Sequence, residues 1–152
     1  MDQRLFGGWS AYQDAVVDVQ LSQRGVTLGP EGVVDGDPWS PHVPVYVITA
    51  HNPGRLVSEI ENEAAQDALV QFLVDEGIPW MSAVGRSRDH SWVEPSVVVE
   101  IAEAEAIRIG AAFDQEAIFR WDGSSLRVVS CRTSDGSAAT SDGSREEADG
   151  SR

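Results

Sequence analysis

Apolar and polar residues alternate through AVVDVQL (Ala15 to Leu21), SQRG interrupts them, and VTL resumes, a period of two that predicts a hairpin with one wet face. The next stretch, GPEGVVDGDPWSPHVP, is rich in Gly, Pro and Asp and reads as a connection. VYVITA (Val45 to Ala50) is nearly continuous in apolar residues, as expected of a central strand covered on both faces. Pro53 and Gly54 stop it. Ser58 with Glu61 three residues on forms a capping box, so a helix should begin at Glu59 and run to Gly77, with Ile60, Ala64, Leu69, Phe72 and Leu73 as its apolar face. Glu59, Glu61 and Glu63 suit the positive end of its dipole.

WMSAV and SVVVEI read as strands on either side of the polar stretch GRSRDHSWVEPS. A second helix follows in AEAEAIRIGAAF, with Ala102, Ala106, Ile109 and Phe113 on one face, and EAIFRW, DGSS and LRVVS close the pattern as a hairpin. The order predicts an α+β fold: a mainly antiparallel sheet with two helices packed on one face, a split-βαβ-like core preceded by an N-terminal hairpin. Residues 1–131 are expected to form one globular domain. Residues 132–152 repeat SDGS and have no large apolar side chain, so they are expected to be a disordered polar tail.

Charge changes the picture. The chain carries 25 acids against 11 bases, a net of -14, which repels phosphate backbones and anionic lipid heads and argues against nucleic acid or membrane as partner. The tail holds five acids and three Arg, so the acidity belongs to residues 1–131. All 11 bases are Arg. Without lysine there is no Schiff base and no phosphate-loop lysine, which removes aldolases, pyridoxal enzymes and Walker-type nucleotidases. Cys131 is the only cysteine, so neither an internal disulfide nor a cysteine zinc cluster can form. No segment approaches the roughly 18 apolar residues of a membrane span, and the N-terminus lacks a signal pattern, so a cytoplasmic protein is expected.

Four stretches, ITAHNP (Ile48 to Pro53), SEIEN (Ser58 to Asn62), GRSRDHSWVEPS and FDQEAIF (Phe113 to Phe119), occur in an order that resembles the bacterial family known as domain of unknown function 3293, over roughly Tyr12 to Cys131. The family would have an aromatic residue where this chain has His51 and a glycine where it has Asp114. The resemblance implies no assigned activity.

The polar residues of these stretches gather where strands meet loops or a helix start. Asn52, Arg55, Asn62, Arg86, Trp92 and Glu94 are therefore the expected ligand-binding set, with Arg55 and Arg86 as anchors for an anionic group. Each has a structural reading beside it: Asn52 as a turn residue, Glu61 as a capping partner, Trp92 as a packing lid, Glu94 as half of an ion pair with Arg86 or Arg55. Gln115 and Phe119 are expected to pack and bond at the end of the second helix.

His51, His90 and Glu94 are the candidates for catalysis, as a general base with an orienting carboxylate. The three histidines, His42, His51 and His90, lack metal-ligand spacing, so no metal and no cofactor is implied. There is no nucleophile elbow, and the one G-x-x-G, GPEG, precedes no helix. The expected function is a non-catalytic domain that binds a small anionic ligand or a protein partner. The alternative is a metal-independent hydrolase or transferase using a His/Glu pair.

Overall fold

The computed structural model describes residues 14–51 and 57–132. Asn52, Arg55 and, apart from Arg132, the expected tail lie outside the described residues. Eight strands form one sheet in the order β3-β2-β1-β5-β6-β4-β7-β8. They are β1 (Val16–Gln20), β2 (Gly25–Gly29), β3 (Gly32–Asp35), β4 (Val45–Ile48), β5 (Trp80–Arg86), β6 (Val93–Val99), β7 (Ala117–Trp121) and β8 (Leu126–Ser130). The helices are α1 (Glu59–Asp75) and α2 (Glu103–Ala112). Every neighbouring pair is antiparallel. This is the predicted α+β class, and β5-β6-β4-β7 with its two helices is the split-βαβ core: β4 and β5, joined through α1, run parallel with β6 between them.

The N-terminal part is larger than the predicted hairpin. The stretch read as a connection contains β3, because Pro30 and Glu31 make a two-residue turn between the paired Gly29 and Gly32. The strands on either side of GRSRDHSWVEPS are also longer than predicted. Gly85 pairs with Glu94 and Arg86 with Val93, so only Ser87 to Trp92 is left as a turn.

The two faces of the sheet hold separate cores. Tyr46, Ile48, Val97, Val99 and Ile118 pack under the helices with Leu69, Leu73, Ala106 and Ile109. On the other face Val17, Val19, Leu28, Val47, Val98 and Trp121 fill the inside of a curled, nearly barrel-shaped sheet. β4 is buried at all four positions because it contributes to both. The curl brings the ends of the sheet together: the Trp121 indole donates to the Trp39 carbonyl at 3.0 Å, and a Cβ on Gly32 would lie 3.6 Å from the Ser124 carbonyl oxygen.

The buried face of α1 is rotated from the predicted one. Ile60 is 79% exposed and Phe72, packed edge-on against Phe113, is 38% exposed, while Asn62, Leu69 and Leu73 are buried. Asn62 and Gln66 occupy positions on the buried stripe, so an assignment by apolar residues alone turns the helix the wrong way. In α2, Gly110 allows close packing on the sheet. A Cβ there would meet the Cys131 sulfur at 2.7 Å and Ile118 at 2.9 Å.

Candidate functional site

The turn between β5 and β6 is closed by its own side chains. Ser87 and Trp92 join backbones at 3.1 Å, the Ser87 hydroxyl accepts from the Trp92 N–H at 3.1 Å, and Asp89 accepts from the Ser87 hydroxyl at 2.8 Å and the Ser91 N–H at 2.9 Å. The Ser91 N–H and the hydroxyls of Ser91 and Ser87 hold the Asp89 carboxyl down at about 2. His90 sits at the tip with φ 63, in the left-handed region that few side chains enter.

Arg86 fixes this turn to the sheet. In β1, Asp18 stands opposite Val84 and so on the same face as Arg86. Arg86 Nε donates to Asp18 at 2.6 Å and Nη2 at 3.3 Å, while Nη1 reaches the carbonyls of Ser87 at 3.2 Å and Arg88 at 3.5 Å. Thr27, opposite Asp18 in β2, donates to the same carboxylate at 2.7 Å. Burial raises the Asp18 carboxyl, but the hydrogen bonds of Arg86 and Thr27 and the charges of Arg86 and His90 outweigh it, leaving the pKa below its ordinary value.

The register separates Arg86 from Glu94. Gly85, not Arg86, lies opposite Glu94, so the two side chains point to opposite faces, Arg86 outward and Glu94 toward the inside of the curl. Arg86 thus pairs with Asp18 and not with Glu94, while Trp92 is half-buried at the end of the turn. Two other basic groups of the turn are uncommitted. Among the described residues the Arg88 guanidinium and the His90 ring make no hydrogen bond or ion pair, and Arg88 lies across β2, its Nη2 3.5 Å from where a Cβ on Gly29 would be.

A second polar cluster lies at the same end of the sheet, where β4 ends. Thr49 donates to the Pro95 carbonyl at 2.7 Å, which ties this exit to the start of β6. The Ala50 N–H donates to Gln66 and the Gln115 amide donates to the His51 carbonyl, both at 3.0 Å. Asn62 and Gln115 are buried, and His51 is half-buried. Burial pushes the imidazole of His51 down, against an opposing pull from Glu63, so the ring is neutral near pH 7. It makes no hydrogen bond among the described residues.

The ends of the helices explain two of the polar stretches. Ser58 and Glu61 form the predicted capping box. At the other end of α2 the Asp114 N–H returns to Ala111 and the Gln115 N–H to Gly110, a Schellman closure with Asp114 at φ 62 where glycine is usual.

The structure therefore brings Arg86 and Trp92 into one turn, puts His51 at the β4 exit and Asn62 on the buried face of α1, and faces Glu94 into the curl. Asp18, Thr27, Gln66 and Arg88 were not singled out from the sequence. Asp18 shows there only as a wet-face position of β1, and Gln66 only as a polar residue four places after Asn62. Among the described residues no three His, Cys, Asp or Glu side chains converge as a metal site, and no helix is long and apolar enough to cross a membrane.

No curated protein and no solved structure matches the chain. Residues 48–118 match the family described as Protein of unknown function (DUF3293), a shorter span than Tyr12 to Cys131. The match runs from the end of β4 to β7 and takes in the β4 exit and the β5–β6 turn, but neither Asp18 nor Thr27. Over residues 48–118, from the last residue of β4 to the second of β7, this chain resembles that family.

Proposed function

We propose that the chain is a non-catalytic binding module that holds an anionic group of a small ligand at the β5–β6 turn. The observation that carries this reading is the division of labour between two arginines. Arg86 is consumed in fixing the turn, and the Arg88 guanidinium has no partner among the described residues while its backbone stands on a rigid support. A pre-ordered loop loses little entropy on binding, and a guanidinium offers paired donors to a carboxylate or phosphate. His90 stands beside it at the tip.

The catalytic alternative needs Glu94 to orient His51 or His90, and at His90 it draws no support from a register that turns Glu94 inward. The net charge of -14 disfavours long polyanions, so a small ligand suits the site better than a nucleic acid.

The test is a thermal-shift and calorimetric screen with inorganic phosphate and small carboxylates. Binding should raise the melting temperature at ligand excess. Arg88→Gln should abolish the shift while leaving the unliganded melting temperature within about 1 °C, since ordinary surface changes cost little. Absence of any shift with the whole panel would overturn the reading.

A further inference from the structure

The sheet uses only part of what α1 offers. Leu69 and Leu73 sit in the core, whereas Ile60, 79% exposed, and Phe72, 38% exposed, face water together with the exposed Ala64 and Ala68. These residues recur every fourth position and form one unbroken ridge, about 18 Å long, on the side of the helix turned from the sheet. At its C-terminal end the ridge meets α2, where Phe72 packs edge-on against Phe113 with ring centroids 6.5 Å apart. Single exposed apolar residues are ordinary on a protein surface, but a continuous ridge of them is the form in which one helix packs on another.

The neighbouring ridge of the same helix is acidic. Glu59, Glu63, Asp67 and Asp75 follow the same spacing and are all exposed, with Gln71 filling the remaining place. Among the described residues no ion pair reaches these acids, and their one side-chain hydrogen bond is from the Gln71 amide to Asp75 at 2.8 Å. Like charges four residues apart weaken a helix, and α1 contains no base to relieve them. An apolar ridge beside an acidic one is complementary to a helix that carries an apolar stripe beside a basic one.

We infer that this face of α1 docks an amphipathic helix of another protein, with its apolar stripe on the Ile60–Phe72 ridge and its Lys or Arg flank on the acidic ridge. Charge selects this occupant. A second copy would bring acidic ridge to acidic ridge between chains of net charge -14. The ends of this chain do not have the composition either: residues 1–13 hold one base, Arg4, and residues 133–152 hold no large apolar side chain. The surface lies on a different element from the β5–β6 turn, and the inference is independent of the anion-binding reading.

The test titrates the full chain, by fluorescence anisotropy, into three labelled peptides of about 18 residues. One is a Leu/Lys helix with a single apolar stripe, one has the same composition in scrambled order, and one is a Leu/Glu helix with the same stripe. The patterned Leu/Lys peptide should bind about tenfold more tightly than either of the others. Ile60→Ser should weaken its binding about tenfold, as loss of an apolar anchor does. The double variant Glu63→Gln/Asp67→Asn should weaken it at low salt and flatten its salt dependence. All three positions are exposed, circular dichroism checks that the variants are folded, and Arg88→Gln should leave peptide binding unchanged.

Equal binding of the patterned and scrambled Lys peptides, with Ile60→Ser silent, would reduce the effect to net charge and overturn the inference. Tighter binding of the Glu peptide, or binding of none of the three, would overturn it as well. Self-association of the chain in sedimentation that Ile60→Ser abolishes would make a second copy the occupant, against the inference.

Discussion

Arg86 places all three nitrogens of its guanidinium on acceptors inside the molecule, and the side chain is 15% exposed against 40% for Asp18. A half-buried ion pair matters mainly when it is broken, because the remaining charge keeps part of its desolvation cost. Asp18→Asn should therefore lower stability by about 1 kcal/mol, a figure reduced for the partial exposure of the carboxylate. Arg86→Gln should cost at least as much, since it also releases the carbonyls of Ser87 and Arg88. The two losses should not add: the double variant should recover at least about 0.5 kcal/mol relative to their sum. Urea midpoints of the four proteins measure this, and strict additivity would show that the contact contributes nothing. The same pair marks what the sequence hides. Arg86 is conspicuous in its polar stretch, but its partner is 68 residues away on a strand whose wet face gives no sign of which polar residue will be used.

At the scale of elements, the motifs that look like a site are largely devices that start, stop and join secondary structure. Ser58 and Glu61 begin α1, and Gly77 ends it at φ 70, with Gly77 returning to Val74 and Ile78 to Leu73. α2 ends in the same way around Asp114, whose side chain makes no hydrogen bond or ion pair among the described residues. Asp114→Gly should therefore raise stability by about 0.5 kcal/mol, the relief of left-handed backbone less the entropy glycine gains when unfolded. Gly77→Ala should lower it by about 1 kcal/mol, as the same argument in reverse. Thermal melts of the two variants decide the matter, and a loss on Asp114→Gly would mean that the aspartate side chain has a task of its own. The capping box, both helices and the split-βαβ order were legible in the sequence because local patterns encode them. β3 was not, because two glycines and a proline conceal a short edge strand. The face of α1 was misread because its buried stripe carries two polar residues, Asn62 and Gln66, the second of which accepts from the Ala50 N–H at the β4 exit.

For the molecule as a whole, Asp18 and His51 give stability the same dependence on acid. The folded pKa of Asp18 lies below its ordinary value of 3.8, so its contribution is complete above that value and is lost as pH falls through the lower folded one. The folded pKa of His51 lies below 6.5, chiefly through burial. Between the lower value and 6.5 the unfolded chain takes up a proton that the folded chain refuses, so stability rises with pH across that window and levels off above it. Acidification also relieves the repulsion within a chain of net charge -14, an opposing effect, but carboxylates titrate mainly below about pH 5, so the two separate. The urea midpoint should accordingly fall between about pH 7.5 and about pH 5.5, and His51→Gln should make that fall smaller. The structural consequence is local before it is global. The backbone of His51 is held by Thr49 and Gln115, and a charged ring there works against the join between β4, α1 and α2. Hydrogen exchange at Ala50 and His51 should quicken at the lower pH before exchange in the inner core around Trp121 does, because the inner core contains neither titrating group. Identical pH slopes for the wild type and His51→Gln would place the ring in water in the folded state, and the β4 exit would then be an open surface and not a buried joint.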